Sequence, residues 1–335
     1  MLVGAKLGKG KAGVVEKPDP VAKDDFVVVK IHVAPTCTEY HGFHGEGESD
    51  SLGHEAAGEV VELAQPGKVK IGDRVVVMPQ YPCGKCALCL SGEYIHCQNC
   101  RDMAELFGPD AATATYAQYM LKQDWLLLPI PDGMSYDHAS MACCGLGPTF
   151  NAMKLMNVGA FDTVLITGMG PVGLGGVINA RYRGARVIAV ESQPYRAELA
   201  KTLGAEAVIN PEDDDAVEQV MALTGGLGAD KSVDTSGSAA AKPFLINAAR
   251  RKGHVAFVGW GGEVDCGTII AKGLTVHGVW HYNLGDSPAM MQLIAEVGGQ
   301  LDKLITHTFP MTDIQEAWEL QCTGNCGKVL LYPWQ

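Results

Sequence analysis

The segment TVLITGMGPVGLGGVINARYRG (163–184) leaves few folds open to this chain. A run of β-branched and apolar residues, TVLITG, passes through a glycine turn into GLGGVINARYRG (173–184), which has helical spacing. ARVIAVE (185–191) repeats the buried-strand pattern. PYRAELAKTLG (194–204) repeats the helical one, with Pro near its start and Gly after its end. AVIN, DDAVEQVMALTG, KSVDTSG, AAKPFLINAARRKG and HVAFVGW continue the alternation. Strand and helix in this rhythm predict a parallel sheet with crossover helices.

The turn itself, GMGPVG, is a GxGxxG motif. Gly168 permits the tight bend, Gly170 lets backbone approach a pyrophosphate, and Gly173 lets helix and strand pack closely. Pro171 and Val172 open the helix, whose free N–H groups and positive dipole end suit phosphate. Glu191 ends the next strand, where a carboxylate accepts hydrogen bonds from an adenosine ribose and repels a 2′-phosphate. A dinucleotide site is therefore expected, for NAD ahead of NADP, with Arg196 close enough to bear on that choice.

The first 140 or so residues read differently. DFVVVKIHVA (25–34), AAGEVVELA (56–64) and GDRVVVMP (72–79) are short β-type runs punctuated by Gly and Pro. With 335 residues, two domains are expected: a β domain first, then the alternating one. A short helical segment after about 285 and a last strand, GKVLLYP (327–333), are expected to return to the first domain. A net charge of −12 argues against nucleic acid and anionic membrane as partners. No apolar run is long enough to span a bilayer, and the N-terminal MLVGAKLGKGKAGVVEKPDP lacks a signal core, so a cytosolic location is expected.

A reducing compartment gives the cysteines a different meaning from disulfides. CGKCALCLSGEYIHC places Cys83, Cys86, Cys89 and Cys97 at Cys-x2-Cys-x2-Cys-x7-Cys. Four thiolates on a turn-rich loop suit a closed, structural zinc site with no position for water. The ferredoxin spacings for iron–sulfur clusters differ from this one. Cys100 is a spare thiol beyond the set.

With these residues together, the chain resembles the zinc-containing medium-chain alcohol and polyol dehydrogenases over essentially its whole length. The resemblance rests on GHEAAGEV (53–60), GDRVVV, the four-cysteine lobe, GMGPVG, VDTSG (233–237) and GKVLLY. It implies an α/β protein with a GroES-like β catalytic domain (1–148, zinc lobe 80–100), a Rossmann doubly wound parallel-sheet domain (149–284), and a C-terminal segment (285–335) completing the first. It implies two zinc ions per chain, NAD, a small alcohol, polyol or carbonyl substrate, and a homodimer or homotetramer. The strand HGVW (277–280) is a candidate for pairing across a two-fold axis.

The resemblance also assigns roles. Catalytic zinc falls to Cys37, His54 and Cys144, with Cys143 as the reserve for the last and Glu55 behind the ligands or as an alternate ligand. Glu39 orients His54, and Thr38 and His41 relay a proton from substrate to solvent. Tyr40, Phe107, Trp280 and His281 lie near pocket segments. PTCTEYHG (35–42) departs from the family pattern, which has one residue between the thiol and the hydroxyl. An extended backbone would send Cys37 and Thr38 to opposite faces, whereas a turn or bulge could serve both. Two alternatives remain in view: a zinc-free quinone reductase, against which His54 and the lobe argue, and a non-catalytic NAD-binding zinc protein that has lost the catalytic metal.

Overall fold

A computed structural model describes all 335 residues, Met1–Gln335. The chain divides into two compact units. One comprises Met1–Cys144, Asn283–Gly298 and Ile305–Gln335, the other Gly145–Tyr282 and Gly299–Leu304. The division expected from sequence differs in placing 145–148 and 299–304 in the first unit and 283–284 in the second.

In the first unit the spine is the strand Phe26–Pro35. It pairs antiparallel with Ala56–Glu62 and Tyr119–Gln123, and at its far end with Lys328–Tyr332. Its side chains alternate between two apolar clusters. Val27, Val29 and Ile31 join Val75, Val77, Leu127 and Trp318 on one face, while Phe26 and Val28 join Met103 and Leu121 on the other. Because Leu330 pairs with Pro35 and Leu331 with Ala34, the C-terminal strand lies beside the start of PTCTEYHG. The N-terminal residues form a hairpin, Leu2–Gly8 with Lys11–Glu16. Lys9 and Gly10 make its turn, while Gly4, Lys6, Lys11 and Gly13 interrupt the apolar pattern within the strands themselves, which hid both in the sequence.

The second unit is a six-stranded sheet, parallel throughout. Strands Ala207–Ile209, Arg186–Val190, Thr163–Thr167, Ala229–Asp234, Ala249–Phe257 and Thr275–Gly278 neighbour one another in that order. Numbered along the chain, this is third, second, first, fourth, fifth, sixth, the Rossmann dinucleotide-fold order, with its topological switch beside the first strand. Val164, Leu165 and Ile166 of that strand are fully buried, as expected of a strand covered on both faces. The strand expected from His254 begins at Ala249. Ala229 pairs with Ala249 but Lys231 with His254, so residues between them bulge, with Lys252 at φ +59°. No helix is long and apolar enough to cross a membrane.

Candidate active site and metal centres

All eleven cysteines are free thiols, and the four of the lobe converge. Sγ–Sγ separations are 4.0 Å for Cys83–Cys89, 3.5 Å for Cys86–Cys89 and 3.9 Å for Cys86–Cys97. Sulfurs at the corners of a tetrahedron around zinc lie about 3.8 Å apart, so the set fits that ion. Backbone N–H groups already point at the sulfurs: Cys83 N donates to Cys97 Sγ at 3.2 Å and Cys86 N to Cys83 Sγ at 3.3 Å. The loop is tied down by Asn283, whose Nδ2 donates to Ser91 O at 2.8 Å and Glu93 Oε1 at 2.7 Å.

A second group of donors, from Cys37, His54, Glu55 and Cys144, lies with all its ligand atoms within 4.8 Å of one another. Local structure explains how Cys37 reaches it. Thr36 N and Oγ1 both donate to Val329 O, pinning the strand end. The chain then leaves the extended conformation: Thr38 sits at φ −92°, ψ −6° and a single 3₁₀ turn covers Glu39–Gly42. The strand alternation that would oppose Cys37 and Thr38 therefore does not apply. Thr38 and His41 are exposed on this turn, and the His41 ring lies tilted against Tyr40 with centroids 4.3 Å apart.

His54 and Glu55 immediately precede the strand Ala56–Glu62. Gly53 before them has φ +85°, and a Cβ there would meet Thr115 Oγ1 at 2.3 Å and the Tyr116 ring at 2.5 Å, so only glycine fits. Cys144 follows the short helix Tyr136–Ser140, and its N–H donates to Glu55 Oε2 at 3.1 Å. Cys143 turns away and donates to Val77 O at 3.3 Å. Of the adjacent pair, only Cys144 stands among the ligand atoms, 3.2 Å from His54 Nε2.

Two carboxylates support the group, one partly and one fully buried. Glu39 Oε1 lies 2.7 Å from His54 Nδ1, and its Oε2 accepts from Tyr116 Oη at 2.9 Å and Cys37 N at 3.2 Å. Burial opposes ionisation of Glu39, yet hydrogen bonding and attraction from His54 outweigh it and hold the carboxyl at about 2. Burial likewise disfavours the His54 cation, but hydrogen bonds to Cys37 and Glu39 win and raise its pKa well above the usual range. A hydrogen bond from Cys144 holds the Cys37 thiol well below its ordinary value against burial, with His54 adding to the effect. In the metal-free protein His54 thus holds a proton that a divalent cation displaces on binding, while Cys37 is already poised as a thiolate.

Glu55 is fully buried, and its Oε1 accepts from the equally buried Lys328 Nζ at 2.7 Å. Burial raises Glu55 to about 7 despite Lys328. Lys328 keeps its proton, because Glu55 and the thiols together overcome the cost of burying its charge. Neither Lys328 nor Tyr116 is among the site residues named from sequence. A lysine inside the apolar run of GKVLLY was the one available signal; TATYAQY offered none.

The glycine turn is in the second unit. Gly168 has φ +82°, and a Cβ on Gly173 would sit 1.9 Å from Gly168 O and 2.6 Å from Thr235 Oγ1, so helix and strand can approach only through glycine. A Cβ on Gly170 meets nothing within 4 Å, which leaves its backbone open to a ligand. Pro171 and Val172 begin the helix Pro171–Tyr182. Glu191 Oε2 accepts from Met169 N at 2.7 Å and its Oε1 from Gln193 N at 2.9 Å, so the carboxylate stands beside the turn. Arg196 lies in the following helix, its N–H capped by Gln193 Oε1 at 3.0 Å. Among the pocket candidates, Phe107 packs edge-on against Phe26 at 5.0 Å, Trp280 against Trp260 at 5.6 Å, and His281 is buried.

Comparison with known proteins agrees with this geometry. Residues 23–132 match the alcohol dehydrogenase GroES-like domain, and residues 171–296 the zinc-binding dehydrogenase family. L-threonine 3-dehydrogenase of Pyrococcus horikoshii is 33% identical over 97% of this chain and 96% of its own. Sorbitol dehydrogenase of Bacillus subtilis is 30% identical over 94% and 92%. D-arabitol-phosphate dehydrogenase of Enterococcus avium is 30% identical over 97% and 94%. Among solved structures, the alcohol dehydrogenase TADH from Thermus sp. ATN1 superposes with a TM-score of 0.90 at 25% identity, covering 99% of both chains.

Proposed function

Because the chain belongs to the zinc-containing medium-chain alcohol and polyol dehydrogenases, NAD-linked oxidoreductases, we propose that it oxidises a secondary alcohol bearing a second polar group. A polyol or a hydroxy amino acid fits, with NAD as acceptor and two zinc ions per chain. The observation that carries the reading is the convergence of Cys37, His54, Glu55 and Cys144. It removes the motive for the non-catalytic alternative, since the altered Cys37–Thr38 spacing does not disperse the donors. The substrate class is supported by the relatives, whose names specify threonine, sorbitol and arabitol phosphate.

In this reading Cys37, His54 and Cys144 hold zinc, with Glu55 able to join them. Zinc so bound supplies Lewis acidity to the substrate oxygen and lowers its proton affinity. Glu39 accepts from His54 Nδ1 and so fixes the tautomer that leaves Nε2 for the metal. Thr38 and His41, exposed on the turn after Cys37, are the hydroxyl and imidazole that pass the substrate proton to solvent. The four lobe cysteines hold the second ion and do no chemistry.

The test is NADH formation on L-threonine, sorbitol and ethanol, with and without chelator. We expect kcat/KM on a polyol or hydroxy amino acid at least about tenfold above ethanol, because a site built to hydrogen-bond a polar group rejects substrates lacking it. Chelation should abolish turnover and zinc should restore it. Ethanol as the best substrate, or turnover indifferent to chelation, would contradict the proposal.

NAD is favoured over NADP because the Glu191 carboxylate beside the glycine turn repels a 2′-phosphate. Glu191→Ser is expected to move the NAD-to-NADP ratio of kcat/KM by about tenfold towards NADP. An unchanged ratio would mean another residue sets the choice. A homodimer or homotetramer is supported by Thr275–Gly278, which pairs on one side only and leaves Val276 39% exposed at the sheet edge. Sedimentation at micromolar protein should give at least the dimer mass, and a monomer would count against it.

A further inference from the structure

We propose that Tyr116 is a positioning residue for the candidate catalytic metal: its hydroxyl anchors Glu39, which in turn holds His54 with Nε2 among the ligand atoms. The proposal rests on the reading that His54 is a zinc ligand.

Glu39 is the weak link in its own support. It lies on a single 3₁₀ turn, Glu39–Gly42, none of whose residues is buried. The turn gives its carboxylate one backbone donor, Cys37 N at 3.2 Å. A carboxylate on such a turn has rotamer freedom, and a hydrogen bond to His54 constrains both partners only if one of them is fixed from elsewhere. Tyr116 provides that fixed point. It is fully buried, and its backbone is bonded at both polar groups: N donates to Leu52 O at 3.1 Å and O accepts from Gly4 N at 2.7 Å.

The side chain is boxed in as well. Cβ atoms on Gly4 and Gly53 would meet Tyr116 Cβ at 3.1 Å and its ring at 2.5 Å, so both neighbouring backbones lie against it. From that seat Oη donates to Glu39 Oε2 at 2.9 Å, leaving Oε1 for His54 Nδ1 at 2.7 Å. The two oxygens are thereby given separate tasks. Oε2 ties the turn to the rigid part of the unit, and Oε1 orients the imidazole. Gly53 immediately precedes His54, so the ring that anchors Glu39 also backs the segment carrying the imidazole. A phenyl ring would fill the same space and lack only the anchoring hydroxyl.

The test is zinc release to a chromogenic chelator from the holoenzyme, comparing wild type, Tyr116→Phe, Glu39→Gln, the double variant and His54→Ala. The lobe zinc serves as an internal control in each. We expect Y116F to release one zinc about tenfold faster, within the range typical when a partner behind a metal ligand is lost, and the other at the wild-type rate. In the E39Q background Y116F should add no further acceleration, because the hydroxyl acts through that carboxylate. Wild-type release from both sites in Y116F, equal acceleration at both sites, or additive effects with E39Q would each overturn the proposal. Two zinc ions retained in H54A would instead overturn the ligand reading on which it rests.

Discussion

His54→Ala is expected to abolish alcohol-dependent NADH formation and to lower the zinc content from two ions per chain to one. The imidazole contributes one of the converging donors through Nε2, 3.2 Å from Cys144 Sγ, while its Nδ1 is held by Glu39. Alanine offers no ligand atom and leaves Glu39 without the partner that does most to keep it ionised against partial burial. Loss of the Lewis acid removes several kcal/mol of transition-state stabilisation, or roughly a thousandfold or more in kcat/KM. The fold should survive, because the His54 side chain is 35% exposed and stands outside the apolar core. The measurements are NADH absorbance, elemental zinc and far-ultraviolet circular dichroism on one preparation. Unchanged turnover would remove His54 from the catalytic account.

Lys328→Met is expected to be the most destabilising single change at the site. Lys328 and Glu55 are both fully buried and paired at 2.7 Å. Taking the cation away leaves a carboxylate without water or counter-charge, at a cost of about 3–5 kcal/mol. The same carboxylate accepts from Cys144 N, so its rearrangement would also disturb a candidate ligand. Guanidinium unfolding should show the loss, and K328M/E55Q should recover part of it, because a neutral amide tolerates burial better than an unpaired carboxylate. A midpoint for K328M equal to wild type would show that the pair contributes nothing net.

The fold was legible in the sequence wherever backbone rules and apolar patterning act alone. The strand–turn–helix at 163–184 announced itself because Gly168 and Gly173 occupy positions no other residue can take, at φ +82° and against Gly168 O at 1.9 Å. The N-terminal hairpin was hidden because glycines and lysines break its apolar pattern, and the early start of the strand at Ala249 because a bulge interrupts its pairing. Candidate ligands could be named from local motifs, but the behaviour of PTCTEYHG could not. Whether Cys37 leaves the strand on a turn depends on Thr36 being pinned to Val329, nearly 300 positions away along the chain. Tyr116 and Lys328 escaped notice for a related reason. Each acts on a carboxylate far away in sequence, Glu39 and Glu55, a partnership that local spacing does not reveal.

The central claim is that two thiolate-containing donor sets, one in the lobe and one around His54, each hold zinc. Elemental analysis of wild-type protein purified without added metal or chelator tests it directly. The account predicts two equivalents of zinc per chain. A single equivalent, persisting after zinc is resupplied, would contradict it, because the converged donors around His54 would then be holding no metal.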